Sequence, residues 1–308
     1  MLSRQTPLQA KISRNFKRYK YVYIMAMPVV IYYLIFMYWP MYGAQIAFKQ
    51  YAPGKGILGS PWIGFSHFIK FFKSFYLSRL IRNTLLISLY SLLFSFPAPI
   101  LLALLLNELR SNKFKRCVQT VSYLPHFISV MVVCGMIIDF TRSDGLINDI
   151  VALFGGSRQT MLLNPAMFRS IYIVSDIWQG VGWGSIIYLS ALTSIDAEQY
   201  EAAVIDGAGR FQQAIHITLP TLIPLITLQL IMRMGQMMSV GYEKIILLYN
   251  GLTYETGDVI SSYVYRRGLQ SGEFSFGTAV SLFNSLCNIL LLITANWLSA
   301  RLTNESMW

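Results

Sequence analysis

Gln229, Arg233 and Gln236 interrupt an apolar stretch at spacings of four and three, which puts them on one face of a helix. Asn284 and Asn288, with Ser281 and Ser285, make a similar stripe further along, and Asp176 and Gln179 sit beside Trp178 and Trp183 in a third stretch. Amide, carboxylate and guanidinium groups hydrogen-bond hydroxyls, and indole faces cover apolar ring surface; the mixture suits a sugar-like ligand. Arg233 adds one specific option, because a guanidinium facing a pathway binds carboxylates through charge-assisted hydrogen bonds. A plainer role is open to the same residues. Asn and Gln stripes join helices inside membranes, Arg233 can pair with Asp176, and tryptophans near span ends anchor interfaces.

Other reactive patterns are missing. His67, His126 and His216 lie far apart, and Cys117, Cys134 and Cys287 have no metal-ligand spacing. The cysteines read as small buried hydrophobes, and no metal site is expected. "PGKG" at Pro53–Gly56 lacks the glycine spacing and the Ser/Thr of a phosphate-binding loop. No Ser/His/Asp set or carboxylate pair converges in the sequence. The expectation is a chain that is not an enzyme and binds no cofactor of its own.

These polar residues must be held by apolar elements. The chain is 55% hydrophobic and 13% charged, against roughly a quarter charged in soluble domains. Crossing a bilayer takes about 20 mainly apolar residues. Six segments qualify, roughly Tyr21–Trp39, Asn83–Leu106, Val118–Ile138, Ser170–Leu192, Pro220–Val240 and Phe276–Ala300. Lipid offers the backbone no hydrogen-bond partners, so the spans must be helices and the fold class is all-α, polytopic, with six transmembrane helices. Pro28, Pro97, Pro99, Pro125 and Pro224 are expected to kink spans, Pro40 to stop a helix and Pro220 to start one. Tyr21–Trp39 has no small-x-small cleavage pattern behind it and reads as a retained span.

Residues 1–20 form a basic tail with Arg4, Lys11, Arg14, Lys17, Arg18 and Lys20 and no acid. The positive-inside rule puts this tail in the cytoplasm, and six crossings return the carboxyl terminus there. The net charge of +11 flanks apolar runs, which suits anionic membrane lipid rather than nucleic acid. The outer connections are about 40–82, 139–169 and 241–275. In the first, "FIKFFKSFYLSRLIR" predicts an amphipathic surface helix; in the last, Arg266 and Arg267 read as solvated charges or as contacts for a binding protein.

"EAAVIDGAGRFQQAIHITLP", Glu201–Pro220, falls between the fourth and fifth spans. Asp196 can cap a helix starting near Ala197, with Glu198 in its first turn. Gly207 can take the left-handed conformation that ends it, and a second short helix follows before Pro220. The result is a helical elbow within the 194–219 loop. Ala202, Ala203 and Gly207 leave an edge of little bulk, while Glu201 and Asp206 supply charge. Such an elbow either receives another protein or rests on lipid as an amphipathic helix.

Glu201-Ala202-Ala203, three residues, Gly207, nine residues, then Ile217, Leu219 and Pro220 resembles the "EAA" signature of ABC importer permeases. "NTLLISL", "GLIN" (Gly145–Asn148) and "LTSIDAEQYEAAVIDGAG" extend the resemblance over nearly the whole chain, towards the carbohydrate branch. "SYLPHFIS" (Ser122–Ser129) and "YEKIILLYNGLTYETGDVISSYVYRRGL" resemble importers of complex oligosaccharides, alginate and pectin fragments among their cargoes. The resemblance implies a type I permease fold over residues 21–308. It makes the elbow a coupling helix, with Glu201, Ala202, Ala203, Asp206 and Gly207 at the groove of a cytoplasmic ATPase. It implies a second homologous permease subunit, two ATPase subunits holding ATP and Mg, an extracytoplasmic solute-binding protein, and the bacterial inner membrane. The implied cargo is an oligosaccharide, uronate-containing ones included. An ABC permease for another solute is the alternative, and an ion-coupled secondary transporter a more distant one.

Overall fold

Proline cannot donate a backbone hydrogen bond and crowds the carbonyl four residues before it. In this chain that local conflict shapes the long helices. The structure, a computed structural model, describes residues 18–302, so residues 1–17 of the basic tail lie outside the described residues. Three wide turns with i to i+5 bonding, Leu34–Tyr38, Ser91–Ser95 and Ala214–Thr218, each end two residues before a proline: Pro40, Pro97 and Pro220. Widening the turn moves the bonding past the carbonyl that the ring displaces. The helices therefore continue, and Pro40 and Pro220 neither stop nor start one, contrary to the sequence expectation.

The elements are α1 (Lys20–Phe48), α2 (Ser66–Phe72), α3 (Leu77–Asn107), α4 (Asn112–Tyr123), α5 (Val130–Thr141) and α6 (Leu146–Leu153). They continue as α7 (Pro165–Leu192), α8 (Ala197–Ile205), α9 (Arg210–Met234), α10 (Tyr242–Leu248), α11 (Ile260–Val264) and α12 (Phe274–Leu302). Among the described residues there is no strand, only one isolated bridge between Lys49 and Trp62. The chain is all-α. Four helices, α1, α3, α9 and α12, are long and apolar enough to cross a membrane; α4 with α5–α6 makes a fifth if the pair, bent by 102°, counts as one broken span. The 28 residues of α7 reach about 42 Å at 1.5 Å each, but Asp176, Gln179 and its glycines leave it less apolar.

Two boundaries differ from expectation. "FIKFFKSFYLSRLIR" divides, with Ser66–Phe72 a short separate helix and the remainder, from Leu77, the start of α3. The fifth span ends at Met234 rather than Val240. Gly235 there lies against α12, where a Cβ would come within 2.8 Å of Leu292. "SYLPHFIS" is the break between α4 and α5: Leu124–Phe127 forms a tight turn, and Ser129 caps α5 by accepting from the Val132 N–H at 3.4 Å. Gly182 of α7 packs on this break, since any Cβ would lie 2.1 Å from the Ser122 carbonyl oxygen.

Three apolar clusters run along the bundle. Ile100, Ala103, Leu106, Tyr188, Leu192 and Leu222 fill one end. Val133, Phe168, Ile173, Ile245, Leu248 and Val259 fill a second cluster, and Phe71, Leu80, Ile260, Phe276 and Val280 pack α12 onto the head of α3. Cys134 is buried and Cys287 half-buried, but Cys117 is exposed, which its neighbours in basic α4 explain.

Asp258 is fully buried between these last two clusters. Its carboxylate accepts from Arg266 at 2.8 Å, Arg79 at 3.1 Å and the Ser262 hydroxyl at 2.9 Å. Asn83 donates to the carbonyls of Glu255 (2.9 Å) and Asp258 (3.0 Å) and accepts from Arg169 at 2.8 Å. Thr84 accepts from the Ile260 N–H at 3.1 Å. Thus "NT" at the head of α3 clips the 255–260 turn to α3 and α7. Burial disfavours the Arg266 charge, but its hydrogen bonds and attraction to Asp258, with Tyr249 adding, hold its pKa above the ordinary arginine value. Arg267 pairs with Glu273 at 2.6 Å. Arg266 is therefore not the solvated charge the sequence suggested, whereas the Arg267 side chain stays 38% exposed.

Removing a buried carboxylate strands its cations. Asp258→Ala is expected to lower stability by about 3–5 kcal/mol, read as a lower unfolding temperature and a lower yield of folded protein in detergent; an unchanged unfolding temperature would contradict the clip.

Candidate functional site

Beyond Met234 the chain leaves the helix and runs between α3 and α12, with Met238 buried and Gln236, Ser239 and Gly241 exposed. Its backbone groups must find partners there, and polar side chains supply them. Ser88 of α3 donates to the Met237 carbonyl, Ser261 donates to the Val240 carbonyl at 2.6 Å, and Asn288 of α12 accepts from the Met238 N–H at 2.8 Å. Asn288 also donates to the Ser239 hydroxyl at 2.7 Å, which Asn284 reaches at 3.4 Å. Asn288, and more weakly Asn284, therefore hold this segment while the Asn284 Oδ1 has no partner, and neither asparagine lines a cavity described below.

Two cavities open beside the unwound segment, of about 460 Å³ and 510 Å³. Both are walled by Asp176, Arg233 and Gln236. The first adds Ser88 and Ser91 of α3, Tyr172 and Gln179 of α7, and Lys244 of α10. The second adds Gln229, Trp183 and Gly184. Ser91 and Asp176 lie near the midpoints of α3 and α7, so the polar lining is at mid-depth. Gln236 belongs to the turn after α9, not to the helical face shared by Gln229 and Arg233, yet it reaches the same space.

Arg233 donates to the Ser91 hydroxyl. Among the described residues no ion pair joins it to Asp176, so the pairing that would have made both structural does not form. Gln179 reaches the Ile128 carbonyl at 3.5 Å. Trp183 stacks on His126, with centroids 4.6 Å apart and planes 3° from parallel, and meets the edge of Phe127 at 5.6 Å. Trp178 is exposed and lines neither cavity. Sequence reasoning missed His126 and Lys244. Lys244 precedes core residue Ile245 and lies one turn before Leu248; a charge in that apolar register is the signal that could have found it. Burial pushes its pKa below the ordinary lysine value, with Asp176 and then Cys134 opposing the shift.

The elbow forms at the opposite end of α3 from the Asp258 clip, where Arg210 donates to the Glu108 carbonyl at 3.4 Å. Asp196 caps α8 by accepting from the Glu198 N–H at 3.1 Å. Gly207 has φ +81°; the Ala208 N–H reaches the Ala203 carbonyl at 2.8 Å and the Gly207 N–H the Val204 carbonyl at 3.1 Å. These are the paired bonds of a Schellman end. The Gly209 N–H then donates to the Gln212 side chain at 2.9 Å. The expected second short helix is instead the first turns of α9, which runs unbroken from Arg210. Glu201, Ala202, Asp206 and Gly207 are exposed and Ala203 half-buried. Val204, Ile205 and Phe211 stand out beside them, 62%, 86% and 78% exposed, an apolar tip on a polar loop.

Residues 95–304 match the family described as "Binding-protein-dependent transport system inner membrane component". The chain is 42% identical to Protein LplB of Bacillus subtilis (strain 168), over 95% of this chain and 92% of the relative. It is 44% identical to the polygalacturonan/rhamnogalacturonan transport system permease protein YteP of the same organism, over 94% and 90%. Among solved structures, a bacterial ABC transporter involved in the import of the acidic polysaccharide alginate superposes with TM-score 0.88 at 45% identity, over 95% of this chain and 99% of that one. A bacterial alginate ABC transporter in complex with an alginate pentasaccharide-bound periplasmic protein gives TM-score 0.87 at 44% identity, over 96% and 99%.

The elbow depends on its one left-handed residue. Space around Gly207 is open, so Gly207→Val acts through backbone strain alone, about 1–2 kcal/mol. Faster proteolysis within 194–219, with little change in the unfolding temperature of the bundle, is the expected reading.

Proposed function

This chain belongs to the binding-protein-dependent transport system inner membrane component family, and we propose that it is the permease subunit of an ATP-driven ABC importer that brings acidic oligosaccharides into the cell. A family member of this kind is a transport subunit, not an enzyme. The observation that carries the cargo is the likeness, at 45% identity over 95% of the chain, to a transporter of an acidic polysaccharide. The mid-depth cavities agree with it: Arg233 supplies a cation, Gln179, Gln229 and Gln236 supply amides for hydroxyls, and Trp183 supplies a ring face.

In this reading the chain crosses the membrane six times, the broken α4–α6 segment and α7 included, with both termini in the cytoplasm. The elbow then faces the cytoplasm. Its exposed Val204, Ile205 and Phe211 fill a groove on one ATPase subunit, and Ala202, Ala203 and Gly207 let the two surfaces approach. A second, homologous permease closes the pathway, two ATPases sit beneath, and a solute-binding protein delivers sugar at the Asp258 end. This chain holds no nucleotide; ATP and Mg belong to the ATPases. Closure of the ATPases pulls the elbows together, and the bundle passes between two packings whose populations ATP shifts.

Reconstituted in liposomes with its permease partner, ATPases and binding protein, the chain is expected to take up oligogalacturonides only with ATP inside. Uptake driven by an ion gradient without ATP would overturn the reading. Ala203→Trp is expected to cut uptake at least about tenfold and to reduce recovery of the ATPase on purification, the cost of a poorly seated interface anchor. Arg233→Gln should lower uptake of oligogalacturonide at least about tenfold more than uptake of its carboxyl-reduced, neutral counterpart; equal losses would remove Arg233 from cargo selection.

A further inference from the structure

Among the described residues, Lys244 is a buried cation whose charge has no partner. It is 7% exposed, and its ammonium makes no hydrogen bond. Buried ammonium groups are costly unless paired, and unsatisfied buried groups are uncommon enough to need a reason. Folding alone gives none. Its neighbours Ile245 and Leu248 are core residues, and a methionine would fill the same volume without the charge.

The position supplies the reason. Lys244 lines the 460 Å³ cavity together with Arg233. Its Nζ lies 5.2 Å from the centre of the Tyr172 ring, a cation–π contact that leaves all three N–H donors free. Tyr172, Arg233 and Asp176 line the same cavity. Two acids line the cavity, Asp176 and the exposed Glu243, and among the described residues neither is ion-paired with either cation. Asp176 lines the same cavity, and its charge opposes the burial penalty on Lys244 without occupying the ammonium's donors. A guanidinium with one hydroxyl partner and a buried ammonium with none thus belong to residues that line one polar cavity.

We propose that Lys244 and Arg233 together form a seat for a single carboxylate of the passing sugar, the ammonium of Lys244 being its main anchor. The inference rests on the oligosaccharide-import reading and names the group that the site selects. A carboxylate entering the cavity provides Lys244 with the hydrogen-bond partner that the empty protein lacks. A neutral sugar leaves it unpaired. Selection therefore comes from the penalty on the wrong cargo as much as from attraction to the right one. A linear uronate chain passes its carboxylates through this seat one after another.

The test uses the complete importer in liposomes, with trigalacturonate and its carboxyl-reduced trisaccharide measured side by side. Lys244→Met is expected to lower the acid-to-neutral uptake ratio by about ten- to a hundredfold, and Lys244→Arg to keep most of it. An unchanged ratio in Lys244→Met overturns the seat, as does a parallel loss of both sugars together with loss of assembled complex, which would make the ammonium structural. Failure of the unmodified importer to move either sugar overturns the oligosaccharide reading itself, and the seat with it.

Discussion

A carboxylate with no exposure to solvent, Asp258, ties together parts of the chain that are far apart in sequence. It binds Arg79 from the head of α3 and Arg266 from the segment following α11, while Asn83 links the adjoining carbonyls to Arg169 of α7. Buried ion pairs of this kind give geometry more than stability, since desolvation offsets much of the attraction. Here geometry is what matters. The clip fixes where α3 and α7 start relative to the 241–270 stretch, and that stretch carries Lys244 into the mid-depth cavity.

A second constraint acts between Met234 and Tyr242, where the chain leaves the helix through turns and draws on side chains of other helices as backbone partners. Ser88, Ser261 and Asn288 provide three of these. An unwound segment beside a polar cavity is the arrangement expected where a solute is bound within a membrane protein. It also explains why the α12 asparagines are better described as supports for that segment than as lining groups.

The elbow has a different logic. Its cap at Asp196, its left-handed Gly207 and its Gln212 bond are all satisfied within a few residues. Such local closure makes the shape of the elbow largely independent of how the bundle packs. Its connection onward is equally continuous. The wide turn Ala214–Thr218 absorbs Pro220, so α9 runs from the elbow to Arg233 without interruption. One helix therefore joins Phe211 of the exposed tip to Arg233, one of the residues that wall both cavities.

What the amino-acid sequence determined alone was everything governed by neighbours along the chain. Hydropathy set the helical class and the approximate spans. Capping and turn chemistry set the elbow, because Asp196 and Gly207 act on backbone groups within three residues of themselves. Helical spacing brought Gln229 and Arg233 to one face. Tertiary structure decided which charges are solvated and which polar residues are free. Arg266 looked exposed until Asp258, eight residues away, was found folded beneath it. Asn288 looked available until Ser239, forty-nine residues earlier, took its donor. Lys244 stood out in the sequence only as a charge beside Ile245 and Leu248, and its lack of a partner emerged when the bundle closed around it. Partners of buried polar groups are set by packing between distant segments, and no local rule of spacing encodes them.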